Sequence, residues 1–65
     1  MRKSYSSREI IQILRENGWY KVETEGDHWH YKHPTIPGKA TVTHPVKDVS
    51  KTVLKGIEAV TGLKF

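Results

Sequence analysis

The chain has 65 residues, a formal net charge of +4 and no cysteine. A chain of this length forms one small domain, residues 1–65, and buries only about 60% of the surface that its unfolded form exposes. The lack of cysteine excludes disulfides and thiolate metal sites and fits a cytoplasmic location. No apolar run exceeds two residues, so we expect neither a signal peptide nor a membrane span.

Lysine and arginine outnumber aspartate and glutamate by 11 to 7, and the isoelectric point is near 9.6. Such an excess favours an acidic partner, most often nucleic acid. Many small soluble domains are mildly basic for solubility alone, so charge leaves both interpretations open. The predicted basic surface comprises Arg2, Lys3, Arg8, Lys21, Lys32, Lys39, Lys47, Lys51 and Lys55.

The first predicted element is a helix from about Ser7 to Asn17. Ser6 and Glu9 have the spacing of a capping box, in which each side chain bonds the backbone of the other residue. One face of the helix is apolar, with Ile10, Ile11, Ile13 and Leu14. Gly18 then suits the left-handed position at which helices end.

Three short strands follow. In the first, Tyr20, Val22 and Thr24 alternate with Lys21, Glu23 and Glu25, as in a strand with one wet face. The residues Glu25-Gly26-Asp27 form a turn. The second strand, His28 to His33, directs Trp29 and Tyr31 to one face and His28, His30 and Lys32 to the other. A loop leads to the third strand, Ala40 to His44, which Pro45 ends.

The last element is a helix with Ser50 as its N-cap and Gly62 at its end. Its apolar stripe consists of Val53, Leu54, Ile57 and Val60. Gly56 in its interior costs roughly 1 kcal/mol against alanine, which predicts a close packing contact there. The order is therefore α-β-β-β-α: an α+β fold with a three-stranded antiparallel sheet and both helices on one face.

Three of the four histidines lie within six positions, which raises the question of a metal site. His28 and His30 share a strand face, and His44 of the third strand is a possible third ligand for zinc. An H-x-H pair is a weak signal in a chain with neither cysteine nor an H-E-x-x-H motif, so we predict no metal and no cofactor. His30 and His33 are more typical of polar sheet residues, and His44 of a residue at the edge of the core.

His28 differs from the others because it opens a strand directly after a turn, where it is held rigidly with one edge exposed. Imidazole gains and loses a proton near neutrality, as general acid–base catalysis requires, and Asp27 and Glu25 favour its charged form. A basic surface attracts a phosphodiester. RNA supplies its own nucleophile, the 2′-hydroxyl. Metal-free RNA cleavage therefore requires at least one acid–base residue beside a cationic surface.

The order of motifs resembles the HicA family of mRNA interferase toxins from bacterial and archaeal HicAB toxin–antitoxin modules. The resemblance covers residues 7–63, and its motifs are specific only in combination. They are S-x-E-I-I-x-I-L-x-x-N-G-W at 7–19, G-x-H at 26–28, Y-K-H-P at 31–34, P-G at 37–38, T-V-T-H-P at 41–45, S-K-x-x-L-x-x-I at 50–57 and G-L at 62–63.

The resemblance implies a double-stranded-RNA-binding-domain-like fold, mRNA cleavage with His28 as the catalytic residue, and neutralisation by a HicB-like antitoxin. DNA would be contacted only indirectly, through that antitoxin. One departure is Asp27, where family members often have a small hydroxyl residue; this bears on substrate preference and pH optimum more than on the role of His28.

The expected chemistry is transesterification by the 2′-hydroxyl with His28 as general acid or base. The predicted RNA contacts are Lys32, Lys51, Lys55 and His30, with Lys32 the best candidate to stabilise charge on the phosphorane. The main alternative is a non-catalytic module that binds double-stranded RNA by its shape. A third possibility is that the basic face serves mainly an acidic antitoxin surface.

Overall fold

A computed structural model describes residues 4–65 of the protein. Its helices and strands follow the order predicted from the sequence. The elements are α1 (Ser7–Glu16), β1 (Tyr20–Glu25), β2 (His28–Lys32), β3 (Ala40–Thr43) and α2 (Lys51–Thr61). Arg2 and Lys3 of the predicted basic surface lie outside the described residues. Within the described part of the chain, neither helix has the length and apolarity needed to cross a membrane.

The three strands form an antiparallel sheet in the order β1-β2-β3. Across β2 and β3, Trp29 pairs with Val42 and Tyr31 with Ala40, while His30 pairs with Thr41. Since side chains alternate along a strand, the first two pairs share one face and the third lies on the other. Tyr31, Ala40 and Val42 are buried, so the face that they share is the core face.

Both helices pack on this core face, as predicted. Ser6 and Glu9 form the expected capping box at the start of α1, Ser50 caps α2, and α2 ends at Gly62. The buried apolar cluster draws on both helices, on the core face of the sheet and on the segments that connect them. Its members are Ile10, Leu14, Trp19, Tyr31, Ala40, Val42, Val49 and Ile57. The predicted α+β architecture is therefore confirmed.

The strict alternation predicted for β1 is wrong. A β-bulge lies between Lys21 and Glu23, and it shifts the pairing with β2 by one residue. Lys21 pairs with Tyr31 and so lies on the core side, whereas Tyr20 lies on the opposite face with Glu23. All of β1 is exposed, including Tyr20 at 50% and Val22 at 43%, because β1 is an edge strand that neither helix covers.

The end of α1 is held against the loop after β2. His33 Nδ1 accepts from the backbone N–H groups of Thr35 at 3.1 Å and Ile36 at 3.2 Å. Nε2 therefore carries the hydrogen and donates to the carbonyl oxygen of Asn17 at 3.0 Å. His33 thus has a structural role, as the sequence predicted.

Gly18 sits beneath this ring, and its replacement by alanine should destabilise the fold. Its φ is +90°, and a Cβ there would lie 2.8 Å from His33 Nε2. We expect Gly18→Ala to lower the free energy of unfolding by roughly 2 kcal/mol or more in urea titrations. Gly26→Ala is the matched control, because Gly26 has a φ of +60° with open space around it. Equal losses in the two variants would contradict a steric contribution from His33.

Residues 5–7, which lead into α1, pair with the connector between β3 and α2. The Ser7 N–H donates to the Val46 carbonyl at 2.8 Å, and the Val49 N–H donates to the Tyr5 carbonyl at 2.8 Å. The rings of Tyr5 and Phe65 also meet edge to face, with centroids 5.3 Å apart. These contacts join the two ends of the chain.

Candidate functional site

His28 opens β2 directly after a two-residue hairpin turn. Glu25 and His28 are paired across the turn, and Gly26 at the first turn position has the positive φ that a type II′ turn requires. The carbonyl of Asp27 accepts from the His44 N–H at 2.7 Å, which fixes the turn against the end of β3. The His28 side chain is 57% exposed, with Nε2 3.8 Å from Asp27 Oδ1. The backbone is therefore fixed while the imidazole stays accessible.

An open groove of about 340 Å³ begins at this imidazole. Its walls come from β2, from the segment leading into β3, from β3 itself and from one side of α2. The lining residues are His28, Lys39, Thr41, Thr43, Val53, Gly56 and Ile57. The lining thus combines a histidine, a lysine and two threonines with apolar residues of α2, and cationic and hydroxyl side chains are typical partners of an anionic group.

A second groove, of about 660 Å³, adjoins the first through Lys39. Lys32 also lines it, together with Val22, Glu23 and Gly38. Two lysines therefore extend the cationic surface away from His28. Sequence reasoning placed Lys39 in the basic surface but did not identify it as a site residue, because its loop position predicts no particular face.

The predicted site residues do not all meet at this groove. His28 lines it and Lys32 lines the adjoining one. Lys51 and Lys55 are exposed on the first half of α2, yet neither is among the residues that line the two grooves. Their contact with RNA stays a prediction. Thr41 and Thr43 are site residues that the sequence did not indicate.

The prediction that His30 faces outward as an exposed residue is wrong. His30 does lie on the face opposite the core, but it is only 6% exposed. Its Nδ1 is 2.8 Å from Thr41 Oγ1 and its Nε2 is 2.7 Å from Glu25 Oε1. Both ring nitrogens are therefore occupied, and direct contact with RNA, which stays a prediction, would require one of these bonds to open.

His44 turns toward the core, as its register with Val42 suggested. Its ring contacts Trp29 with centroids 4.5 Å apart. Ser7 Oγ accepts from the Val46 N–H at 2.8 Å and lies 2.6 Å from His44 Nδ1. The side chains of Ser7 and His44 therefore share a hydrogen bond. The histidines considered for zinc therefore lie on different faces of the sheet.

Another set of potential metal ligands lies elsewhere among the described residues. Ligand atoms of Glu23, Glu25 and His30 lie within 4.8 Å of one another. Both glutamates are exposed, and both His30 nitrogens already take part in hydrogen bonds. None of the three residues lines the groove at His28.

The close packing contact predicted at Gly56 is absent, so that prediction is wrong. A Cβ at this position would meet no atom within 4 Å. Gly56 instead lines the groove at His28. A glycine inside a helix lowers stability relative to alanine, and packing within the fold does not account for this one. Its effect is to leave one position of the α2 wall, between Val53 and Ile57, without a side chain.

A third surface depression, of about 380 Å³, lies between α1 and the core side of β1 and β2. It is lined by Ile11, Arg15, Trp19, Tyr20, Lys21, Trp29 and Tyr31. The Lys21 ammonium lies 4.2 Å from the centre of the Trp29 ring, a cation–π contact. Burial raises the pKa of Tyr31 above its ordinary value of 10.0, and Arg15 opposes this rise.

The raised pKa of Tyr31 predicts a loss of stability at alkaline pH. The folded state disfavours the phenolate, so the contribution of Tyr31 is intact below pH 10 and falls as the pH rises through its higher folded value. We expect Tyr31→Phe to reduce the decline in unfolding free energy between about pH 9 and about pH 11 in urea titrations. Tyr20→Phe, at an exposed position, is the control. An unchanged decline in Tyr31→Phe would contradict the prediction.

Comparison with known proteins identifies the family of the chain. The family model described as the HicA toxin of bacterial toxin–antitoxin systems matches residues 7–63. No curated protein matches the chain. The match covers most of the 65 residues, including the hairpin that carries His28 and every residue lining its groove. The chain therefore belongs to the HicA family of toxins from toxin–antitoxin systems.

Proposed function

We propose that this toxin is an endoribonuclease that cleaves mRNA at the groove containing His28. The observation that carries the proposal is the position of an accessible imidazole on a rigid hairpin, beside a lysine and two threonine hydroxyls. Membership of a toxin family is consistent with it. The cytoplasm, where mRNA is translated, is the compartment in which it would act.

The proposed reaction is metal-independent transesterification. The 2′-oxygen of a nucleotide attacks the adjacent phosphorus while the bond to the 5′-oxygen breaks, which leaves a 2′,3′-cyclic phosphate and a 5′-hydroxyl. One proton leaves the 2′-hydroxyl and another reaches the 5′-oxygen. His28 transfers one of these protons, as base or as acid, and water transfers the other.

Charge that develops on the phosphorane needs nearby cations. Lys39 shares the groove with His28, and Lys32 lies in the adjoining one. We assign transition-state stabilisation to Lys39 in addition to Lys32, the candidate that the sequence favoured. Their exposed ammonium groups also suit the next phosphates along a single strand.

The partner is proposed to be a HicB-like antitoxin that covers the groove and carries any contact with DNA. Lys51 and Lys55 lie on α2 outside the lining of the groove, so they suit this partner at least as well as RNA. Charge reversal at both positions should weaken antitoxin binding more than RNA cleavage. A larger effect on RNA cleavage than on antitoxin binding would instead assign Lys51 and Lys55 to contact with RNA.

Product analysis tests the proposed reaction. Purified protein is incubated with a single-stranded RNA in excess EDTA, and the product ends are identified by mass spectrometry. We expect 2′,3′-cyclic phosphate and 5′-hydroxyl ends, and no cleavage of the same sequence with 2′-fluoro sugars. Loss of activity in EDTA would contradict the metal-independent route. Binding to duplex RNA without any cleavage would instead support the non-catalytic module.

A further inference from the structure

His30 is a buried imidazole on the otherwise open face of the sheet. Its neighbours along the strand on this face, His28 and Lys32, are exposed, whereas His30 is 6% exposed. It bridges two strands, with Nε2 2.7 Å from Glu25 Oε1 and Nδ1 2.8 Å from Thr41 Oγ1. Thr41 also lines the groove at His28. A continuous hydrogen-bonded chain therefore runs from an exposed carboxylate to a hydroxyl in the groove.

The position of the hydrogen is fixed at the Glu25 end of this series of hydrogen bonds. A carboxylate only accepts hydrogen bonds, so Nε2 of His30 carries a hydrogen and donates to Glu25. Nδ1 then has two options. In the neutral ring it accepts from the Thr41 hydroxyl, and in the protonated ring it donates to the Thr41 oxygen. Only in the second case is the Thr41 hydrogen released to donate to a ligand.

An anion in the groove favours this second state. It accepts the released hydrogen, and its negative charge adds to that of the carboxylates near His30. Those carboxylates belong to Glu23 and Glu25 of β1, whose oxygens lie within 4.8 Å of a ring nitrogen. From β3 the ring faces the uncharged Thr41, and the buried apolar residues of α1 and α2 belong to the cluster on the opposite face of the sheet. Lys39 lines the groove together with Thr41.

We propose that Thr41 binds a phosphate oxygen of the RNA in the His28 groove and that Glu25 and His30 position its hydroxyl for this contact. The inference rests on the proposed function, because it takes the anion to be a phosphodiester of the substrate. Thr41 touches the ligand, whereas Glu25 and His30 act through Thr41. Phosphate binding is accompanied by proton uptake at His30.

Binding of a 2′-fluoro RNA oligonucleotide, which has phosphodiesters but no 2′-hydroxyl, tests the contact. We expect Thr41→Val to weaken binding on the order of tenfold and Thr41→Ser to restore it. Valine is similar in shape to threonine and favours strands, so the fold should persist. Thr24→Val on β1, an exposed strand position outside the groove, is the matched control. Equal affinity of Thr41→Val and the unmodified protein would overturn the proposal.

A double-mutant cycle separates positioning from general stability. We expect Glu25→Gln to weaken binding several-fold in the unmodified protein and to have no further effect in Thr41→Val. Equal effects of Glu25→Gln in both backgrounds would overturn the positioning role. Nitrogen NMR of His30 gives an independent signal: Nδ1 should become protonated when the oligonucleotide binds, and an Nδ1 that stays unprotonated would overturn the proton uptake.

These measurements do not depend on cleavage, so the two proposals fail separately. RNA cleavage that persists in His28→Ala would reject the catalytic assignment and leave the oligonucleotide measurements interpretable. Normal cleavage by the unmodified protein combined with unchanged binding in Thr41→Val would reject the Thr41 contact alone.

Discussion

Replacement of His28 by alanine should lower the rate of RNA cleavage on the order of 10²–10⁴-fold, the usual contribution of a general acid or base. The imidazole is the accessible proton carrier of the groove, since His30 has both nitrogens bonded and His44 faces the core. The cleavage rate is measured under single-turnover conditions with saturating protein. Overexpression of the variant should no longer arrest growth.

The fold of this variant should be unaffected, because the His28 side chain is more than half exposed and lies outside the apolar cluster. Equal urea midpoints for His28→Ala and the unmodified protein would show this. Gln12→Ala, at an exposed position on α1, is the control for an unrelated surface change. A His28→Ala protein that cleaves RNA at the normal rate would refute the assignment.

Substitutions at Gly56 should change stability and activity in opposite directions. Gly56→Gln should raise the free energy of unfolding by about 0.5 kcal/mol, since glutamine favours helices more than glycine does. Its side chain has space available, but that space is the groove. We expect cleavage to fall on the order of 10²-fold, because a displacement of about 1 Å at a reacting centre can have that effect.

Ala59→Gln provides a matched control on the same helix. Ala59 is exposed and does not line the groove, so the same side chain there should leave cleavage unchanged. Gly56→Ala should stabilise the protein by about 1 kcal/mol and lower activity less than Gly56→Gln does. A Gly56→Gln variant that is more stable and fully active would show that RNA does not occupy this groove.

Local signals were sufficient to predict most of the fold. The capping box at Ser6 and Glu9, the N-cap at Ser50 and the glycine at residue 62 each act within one helical turn, and the structure confirms all three. The β-bulge after Lys21 was not predictable in this way. It depends on how an exposed edge strand pairs with β2, and the alternation of residues 20–25 gives no indication of it.

The site was predictable only in part. The turn before His28 and the side chain alternation of β2 placed this residue correctly, since both are local properties. The burial of His30 depends on Thr41 from another strand and on Glu25 across the hairpin, so its position in β2 suggested an exposed residue. Gly56 was interpreted as a packing contact for the same reason: whether a glycine faces a neighbour or open space depends on the tertiary structure.

The contacts that join the two ends of the chain have a consequence for its synthesis. Tyr5 is synthesised more than forty residues before its partners Val49 and Phe65. The α2 wall of the groove likewise comes from residues 51–61. A nascent chain that still lacks them has His28 but no groove around it. If the proposed function is correct, a ribosome translating this toxin meets no assembled nuclease until residues 51–61 have left the exit tunnel.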